Sequence, residues 1–237
     1  MKNRSRESLE LISGSEVYDQ IMADTEIAPI ILAGIPKITI NGGTLSSNRA
    51  ENDGGGAFQD ENTEFLVYGE STDISKNEAA GSGGAVYISK GTATLKGGKI
   101  YGNKAKENGG ALYVNGNLSV TNGLVNNNSA NNGGGICLEG GNVTISDGEI
   151  HSNIASQNGG GLYVYNSSDT ERSVSFSGGT FENNEAKAGG GVAVEGKITL
   201  TIENTDFQGN SAENGGGVYM NNGAKMSYIS GLIRSNT

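Results

Sequence analysis

The phrase "NKAKENGGALYV" at residues 103–114 returns, little altered, as "NSANNGGGICL", "NIASQNGGGLYV", "NEAKAGGGVAV" and "NSAENGGGVYM". Its anchor asparagine falls at Asn48, Asn77, Asn103, Asn128, Asn153, Asn184, Asn210 and Asn236, a period of about 26 residues. Units of this size cannot each close a core, so a chain built from them buries apolar surface by stacking one unit on the next.

The apolar residues keep the same period. Three positions before the anchor stand Leu45, Ile74, Ile100, Val125, Ile150, Phe181, Phe207 and Ile233. Further upstream are pairs two residues apart, such as Leu118/Val120, Val143/Ile145 and Leu200/Ile202, and after the glycines come Leu112/Val114, Ile136/Leu138 and Val218/Met220. A spacing of two places both members on one face of a strand. Each unit therefore reads as three short strands joined by three turns. Stacked in parallel at about 4.8 Å per coil, eight such units make a rod roughly 35 to 40 Å long.

The expected fold is all-β, a right-handed parallel β-helix over residues 37–237, the hand following from the usual sense of parallel crossovers. Composition agrees, with 40 Gly and only two Pro among 237 residues. Glycine permits the sharp corners and close backbone approaches that every coil requires. The asparagine column reads as an amide ladder, each side chain bonded to its equivalent in the next coil.

Three regions depart from the pattern. Residues 1–36 lack the repeat and read as a leader or an N-terminal cap, with "LELISGSEVYDQIM" a candidate amphipathic cover for the first coil. The spacing of 31 between Asn153 and Asn184 marks an insertion at "YNSSDTERS", expected as a surface loop, and the second unit carries extra residues in "FQDENTEFLVYGESTDISKN". The final "GLIRSNT" stops at the anchor position, as a piece of a longer array would.

Charge and composition exclude several classes of function. A net charge of −10 disfavours nucleic acid and anionic membranes, which select basic patches. No stretch approaches the roughly 18 apolar residues of a membrane span, and "MKNRSRESLE" is too polar for a signal peptide. One Cys rules out an intramolecular disulfide framework. No cofactor or metal is expected: Cys and His do not cluster at ligand spacing, and no Walker or Rossmann signature follows the glycines.

Three features are candidates for function. The first is the central column of the post-glycine strand, Phe58, Tyr87, Tyr113, Cys137, Tyr163, Ala193 and Tyr219. Alternation sends this column outward, and a ladder of exposed rings suits a sugar or a protein partner, or else simply clads the sheet. The second is a hydroxyl column, Thr39, Thr94, Ser119, Thr144, Ser175, Thr201 and Ser227, which reads as ordinary solvated sheet. The third is catalysis, because right-handed β-helices include pectate lyases and polygalacturonases. These need paired carboxylates, or carboxylates holding Ca²⁺ beside a basic residue. Asp206 in "NTDF" instead occupies the turn position of Glu149 and Thr180, and His151 follows an inward Ile150, so no catalytic residue is assigned.

"GGAV" at 83–86, "GGAL" at 109–112, and the FxxN pairs Phe181/Asn184 and Phe207/Asn210 resemble the repeats of the polymorphic membrane proteins of chlamydiae. Other units replace Ala by Gly or Phe by an aliphatic residue. The resemblance covers residues 37–237 and implies a surface-displayed adhesin, an autotransporter passenger, located outside the cell. The expectation is a non-enzymatic adhesin or stalk on a cell surface or in the secreted fraction, with a host or matrix glycan or protein as partner. A polysaccharide-active lyase or hydrolase and a pure spacer are the alternatives.

Overall fold

The computed structural model describes Ile30–Ile31 and residues 37–237. The described chain is all strand and turn and winds into a parallel β-solenoid of about eight coils spaced about 26 residues apart. Every strand pairs in parallel with its equivalents in the neighbouring coils. In the later coils the first face carries Ile136–Glu139, Leu162–Asn166, Val192–Gly196 and Val218–Asn221. The second carries Val143–Ile145, Arg172–Phe176, Ile198–Ile202 and Lys225–Tyr228, and the third Glu149–His151, Thr180–Glu182, Thr205–Gln208 and Gly231–Arg234.

Two features differ from the expected three separate strands per coil. A fourth short strand follows the anchor asparagine, running from Arg49–Ala50 through Glu185–Ala188 to Ser211–Asn214, and these strands form a seven-stranded sheet of their own. The stretch between the asparagine corner and the glycine corner is long enough to lie extended, so its backbone pairs with the coils on either side. In the early coils the corners do not interrupt the ladder: Ala57–Ser75, Val86–Tyr101 and Leu112–Asn126 each run continuously around three faces. The extra residues of the second unit are absorbed at register shifts between Gln59 and Asn62 and between Val67 and Asp73. Phe65 and Val67 thereby align with Ile38 and Ile40.

The interior is one continuous apolar column. Leu45, Ile74, Ile100, Val125, Ile150, Phe181 and Phe207 are all buried, as their period requires. In the last coil of the sequence, Ile233 holds the same position and is 46% exposed. The rings of Phe181 and Phe207 stack with centroids 4.9 Å apart, matching the rise per coil. Gln59 is an anomaly in this column, since its register partners Ile88 and, beyond it, Val114 are aliphatic. Its side chain is fully buried, and among the described residues neither amide atom has a hydrogen-bond partner.

The asparagine ladder sets the register. The Asn128 Oδ1 accepts the backbone N–H of Asn103 at 2.9 Å and its Nδ2 at 3.0 Å. The Asn128 Nδ2 donates forward to Asn153 Oδ1 at 3.0 Å and back to the Ile100 carbonyl at 3.0 Å. Both donors and both acceptor sites of the carboxamide are thus filled, inside a column from which water is excluded. The pattern recurs at Asn77, Asn103, Asn153, Asn184 and Asn210. Immediately before each anchor the chain turns through a left-handed residue: Ser47, Lys76, Gly102, Asn127, Ser152, Asn183, Gly209 and Ser235 have φ between 52° and 64°.

The glycine corner is dictated by close approach. Gly83 has φ 68°, and a Cβ there would lie 2.4 Å from the Val86 carbonyl oxygen. Gly84 has no such torsion, yet a Cβ would meet the Gly110 carbonyl oxygen of the next coil at 2.1 Å. The third position holds Ala85 and Ala111 in two coils, whereas a Cβ on Gly161 or Gly191 would sit 2.7 or 2.6 Å from the Gly191 or Gly217 carbonyl oxygen of the next coil and 3.1 or 3.0 Å from the ring of Phe181 or Phe207.

Two substitutions test this account. Asn128→Ala removes the acceptor of the Asn103 donors and the side-chain donor to the Ile100 carbonyl, leaves the Asn153 oxygen with one of its two donors, and should lower stability by about 3 kcal/mol. Gln59→Leu removes an unpaired buried amide and should raise stability by about 1 to 3 kcal/mol. Urea denaturation followed by circular dichroism measures both.

Candidate functional site

The first face is where the outward columns hold the most chemistry. Its inward positions, Leu112 and Val114 in one coil, are fully buried, so Tyr113 between them points away from the core. Phe58 and Tyr87 stack with centroids 5.0 Å apart and planes 3° from parallel, and Tyr87 and Tyr113 do so at 4.8 Å and 15°. Spacing follows from the rise per coil, and it has a consequence for binding. Each ring covers its neighbour's face, so this stack presents ring edges to solvent rather than the flat surfaces a sugar would lie on.

The expected ladder of exposed rings is therefore corrected in part. Phe58, Tyr87 and Tyr219 are half-buried, while Tyr113 is 6% and Tyr163 9% exposed. The column forms a second apolar cluster outside the main core, in which Cys137 and Ala193 are buried beneath the tyrosines. Small residues at these two places leave room for rings to lean in, and Tyr165 does so from the adjacent outward column, stacking on Tyr163 at 5.3 Å and 19°. Burial pushes the Cys137 thiol pKa well above its ordinary value, which keeps it a packing residue.

Alternation in sequence also hides a set of polar partners two residues further along each strand. The Tyr113 hydroxyl donates to the Glu139 carboxylate, and Tyr165 joins the same hydrogen-bonded group. The Tyr163 hydroxyl donates to Glu195 Oε2 at 2.6 Å, and the Asn222 amide donates to the other Glu195 oxygen. Glu139, Tyr165, Glu195 and Asn222 were not singled out in the sequence. For the first three the signal is the position two residues after each member of the central column, Asp60, Ser89, Asn115, Glu139, Tyr165, Glu195 and Asn221, which looks like ordinary solvated sheet until the rings are placed, and Asn222 lies one residue beyond it.

Beside the second tyrosine–glutamate unit lies a shallow depression of about 220 Å³, lined by Tyr163, Tyr165, Asn166, Ser167, Glu195, Gly196 and Asn222. Its rim is the insertion, whose residues 167–171 are exposed. Asn166 ties that loop down. Its Nδ2 donates to the Thr170 and Lys197 carbonyls, and its Oδ1 accepts from the Ser168 backbone and hydroxyl.

The other candidates take structural places. Leu66 stands between Thr39 and Thr94, so the hydroxyl column is broken in the second unit. Asp206 lies in register with Thr180 and accepts the Leu232 backbone N–H at 3.1 Å, tying one coil to the next. His151 is half-buried, with Nδ1 3.1 Å from the Ser152 hydroxyl. Among the described residues no three His, Cys, Asp or Glu side chains converge as metal ligands, and no helix is long and apolar enough to cross a membrane.

The tyrosine–glutamate pairs make alkaline stability a test of the face. Burial first, and then hydrogen bonding to glutamate, raises the phenol pKa of Tyr113 and Tyr163 well above the ordinary value of 10.0, and Tyr165 follows for the same causes. An unfolded chain loses these protons near pH 10, while the folded chain keeps them. Their contribution to stability is therefore complete below about pH 10 and is lost as pH rises toward the folded values. Phenolate absorbance should reveal these tyrosines as late-titrating, and the urea midpoint should fall between about pH 9 and pH 11.

Comparison with protein-family models gives a match over residues 11–207 to the model described as right handed beta helix region. Neither the comparison with curated proteins nor that with solved structures returns a match. With most of its length covered by that model and its coils stacked as the repeat requires, the chain belongs to the right-handed β-helix family.

Proposed function

We propose that this chain is a non-enzymatic segment of a cell-surface or secreted protein, acting as an adhesive surface or stalk that contacts a glycan or protein through the first face. The observation that supports it is the outward cluster running from Tyr87 to Tyr219, joined to Glu139 and Glu195 by hydrogen bonds on a rigid stack. Aromatic bodies held beside fixed polar groups favour partners that are part apolar and part hydrogen-bonding. The resemblance to chlamydial repeat proteins supports an extracellular setting. β-Helix domains serve both enzymes and non-enzymes, so the family itself leaves activity open. The non-enzymatic reading rests on Asp206, the residue most like a hydrolase carboxylate, being spent on the Leu232 N–H.

The test is retention of the purified chain on immobilised glycans and matrix proteins, beside the double variant Tyr87→Ser, Tyr219→Ser. These two rings are half-buried and can be cut back with less damage than Tyr113 or Tyr163. Retention should fall by about tenfold or more in the variant while its circular dichroism is unchanged. Unchanged retention would remove the first face from the reading, and unsaturated or reducing products from a polyuronate would replace adhesion with catalysis.

A further inference from the structure

We infer that the depression beside Glu195 is a saccharide subsite that takes a hexosamine bearing a free, protonated amine, an inference that rests on the adhesive reading and narrows it. At about 220 Å³ the depression is smaller than the pockets of drug-sized ligands, which start near 300 Å³, and it suits one sugar ring.

The carboxylate is held ready for a cation. Tyr163 donates to one oxygen of Glu195 and Asn222 to the other, so the group is fixed in orientation while each oxygen keeps further acceptor capacity, and Glu195 lines the depression. Donation from the phenol to a carboxylate also enriches the ring beside it, which favours a nearby positive charge. Gly196 makes the floor possible: it has φ 97°, and a Cβ there would lie 2.2 Å from the Asn166 carbonyl oxygen.

Glu195 is the one charged residue in the lining of the depression. Asp169 and Glu171 stand on the rim loop and Glu139 lies on the same face, within a chain of net charge −10. Lys197 is engaged with Asp169 at 2.6 Å, and the Thr199 hydroxyl donates to Glu171 at 2.7 Å. A uronate or sulfated sugar would meet the like charge of Glu195 here, whereas an ammonium would meet a carboxylate held in orientation by two hydrogen bonds. A lysine side chain would satisfy the carboxylate alone. A hexosamine would also offer vicinal hydroxyls to Ser167 and Asn222 and its C–H groups to the edges of the stacked tyrosine pair, and so uses more of the lining.

Titration calorimetry with glucosamine oligomers, their fully N-acetylated counterparts and polygalacturonate tests the assignment. The intact chain should bind the free-amine oligomer saturably, the acetylated one about tenfold more weakly or worse, and polygalacturonate not at all. Glu195→Gln keeps acceptor and shape but removes the charge, and should cost about tenfold. Ser167→Lys places an ammonium at an exposed loop position that cannot unfold the stack, and should abolish binding even if Glu195→Gln is unstable. Equal affinity for acetylated and free-amine oligomers, or indifference to both variants, would overturn the subsite. Competition by a lysine-rich peptide without saccharide binding would overturn it in favour of a protein ligand. Retention on some other glycan, lost with Tyr87→Ser, Tyr219→Ser but untouched by Glu195→Gln and Ser167→Lys, would reject the subsite and keep the adhesive reading. Failure of the intact chain to bind any glycan or matrix protein would remove both.

Discussion

The buried asparagine ladder is the constraint on which the rest of this structure depends. A carboxamide inside an apolar column is tolerable only when all its donors and acceptors are met, and here the partners come from the coils on either side. A coil displaced by one residue would strand the amide and turn its whole apolar set outward. The ladder therefore aligns Phe181 with Phe207 inside and Tyr87 with Tyr113 outside, although its own hydrogen bonds run only to amides and backbone. The left-handed residue before each anchor aims the side chain into the column, which is why small or flexible residues, and one Lys, recur there.

Once register is set, differences between coils decide what the outer faces can do. Four coils carry a tyrosine in the central column of the first face, and the small Cys137 and Ala193 break the series. Where a ring is missing, its neighbours close over the gap, so polarity and burial vary along a surface whose backbone repeats almost perfectly. The insertion 167–171 borders a depression on this face through Ser167, and Asn166 fixes the loop to the next coil. A regular solenoid acquires a local site by such departures: a small residue for a large one, and a loop for a turn.

The inner half of the architecture was legible from the repeat because its requirements are the same in every coil. The anchor asparagines, the aliphatic column from Leu45 to Phe207 and the glycine corners each solve one problem of close packing, and one solution per coil writes a period into the chain. The fourth strand was not legible, because a stretch such as "EAKA" alternates only charged residues with alanine, has no β-branched or aromatic residue, and becomes strand when the coils on both sides offer backbone partners. Gln59 runs the other way, a polar residue at a position whose stacked partners are aliphatic.

What the sequence by itself determined is the coil: its length, its inward faces, its corners and the amide that ties it to the next, all periodic because stacking repeats the same contacts. What only the tertiary structure decided is the outer surface. Whether Tyr113 is exposed and which hydroxyl meets Glu139 or Glu195 depend on side chains 26 to 32 residues apart in the chain but one coil apart in space. Those contacts are not periodic, so no repeat announces them, and they exist only once the coils have been laid one upon another.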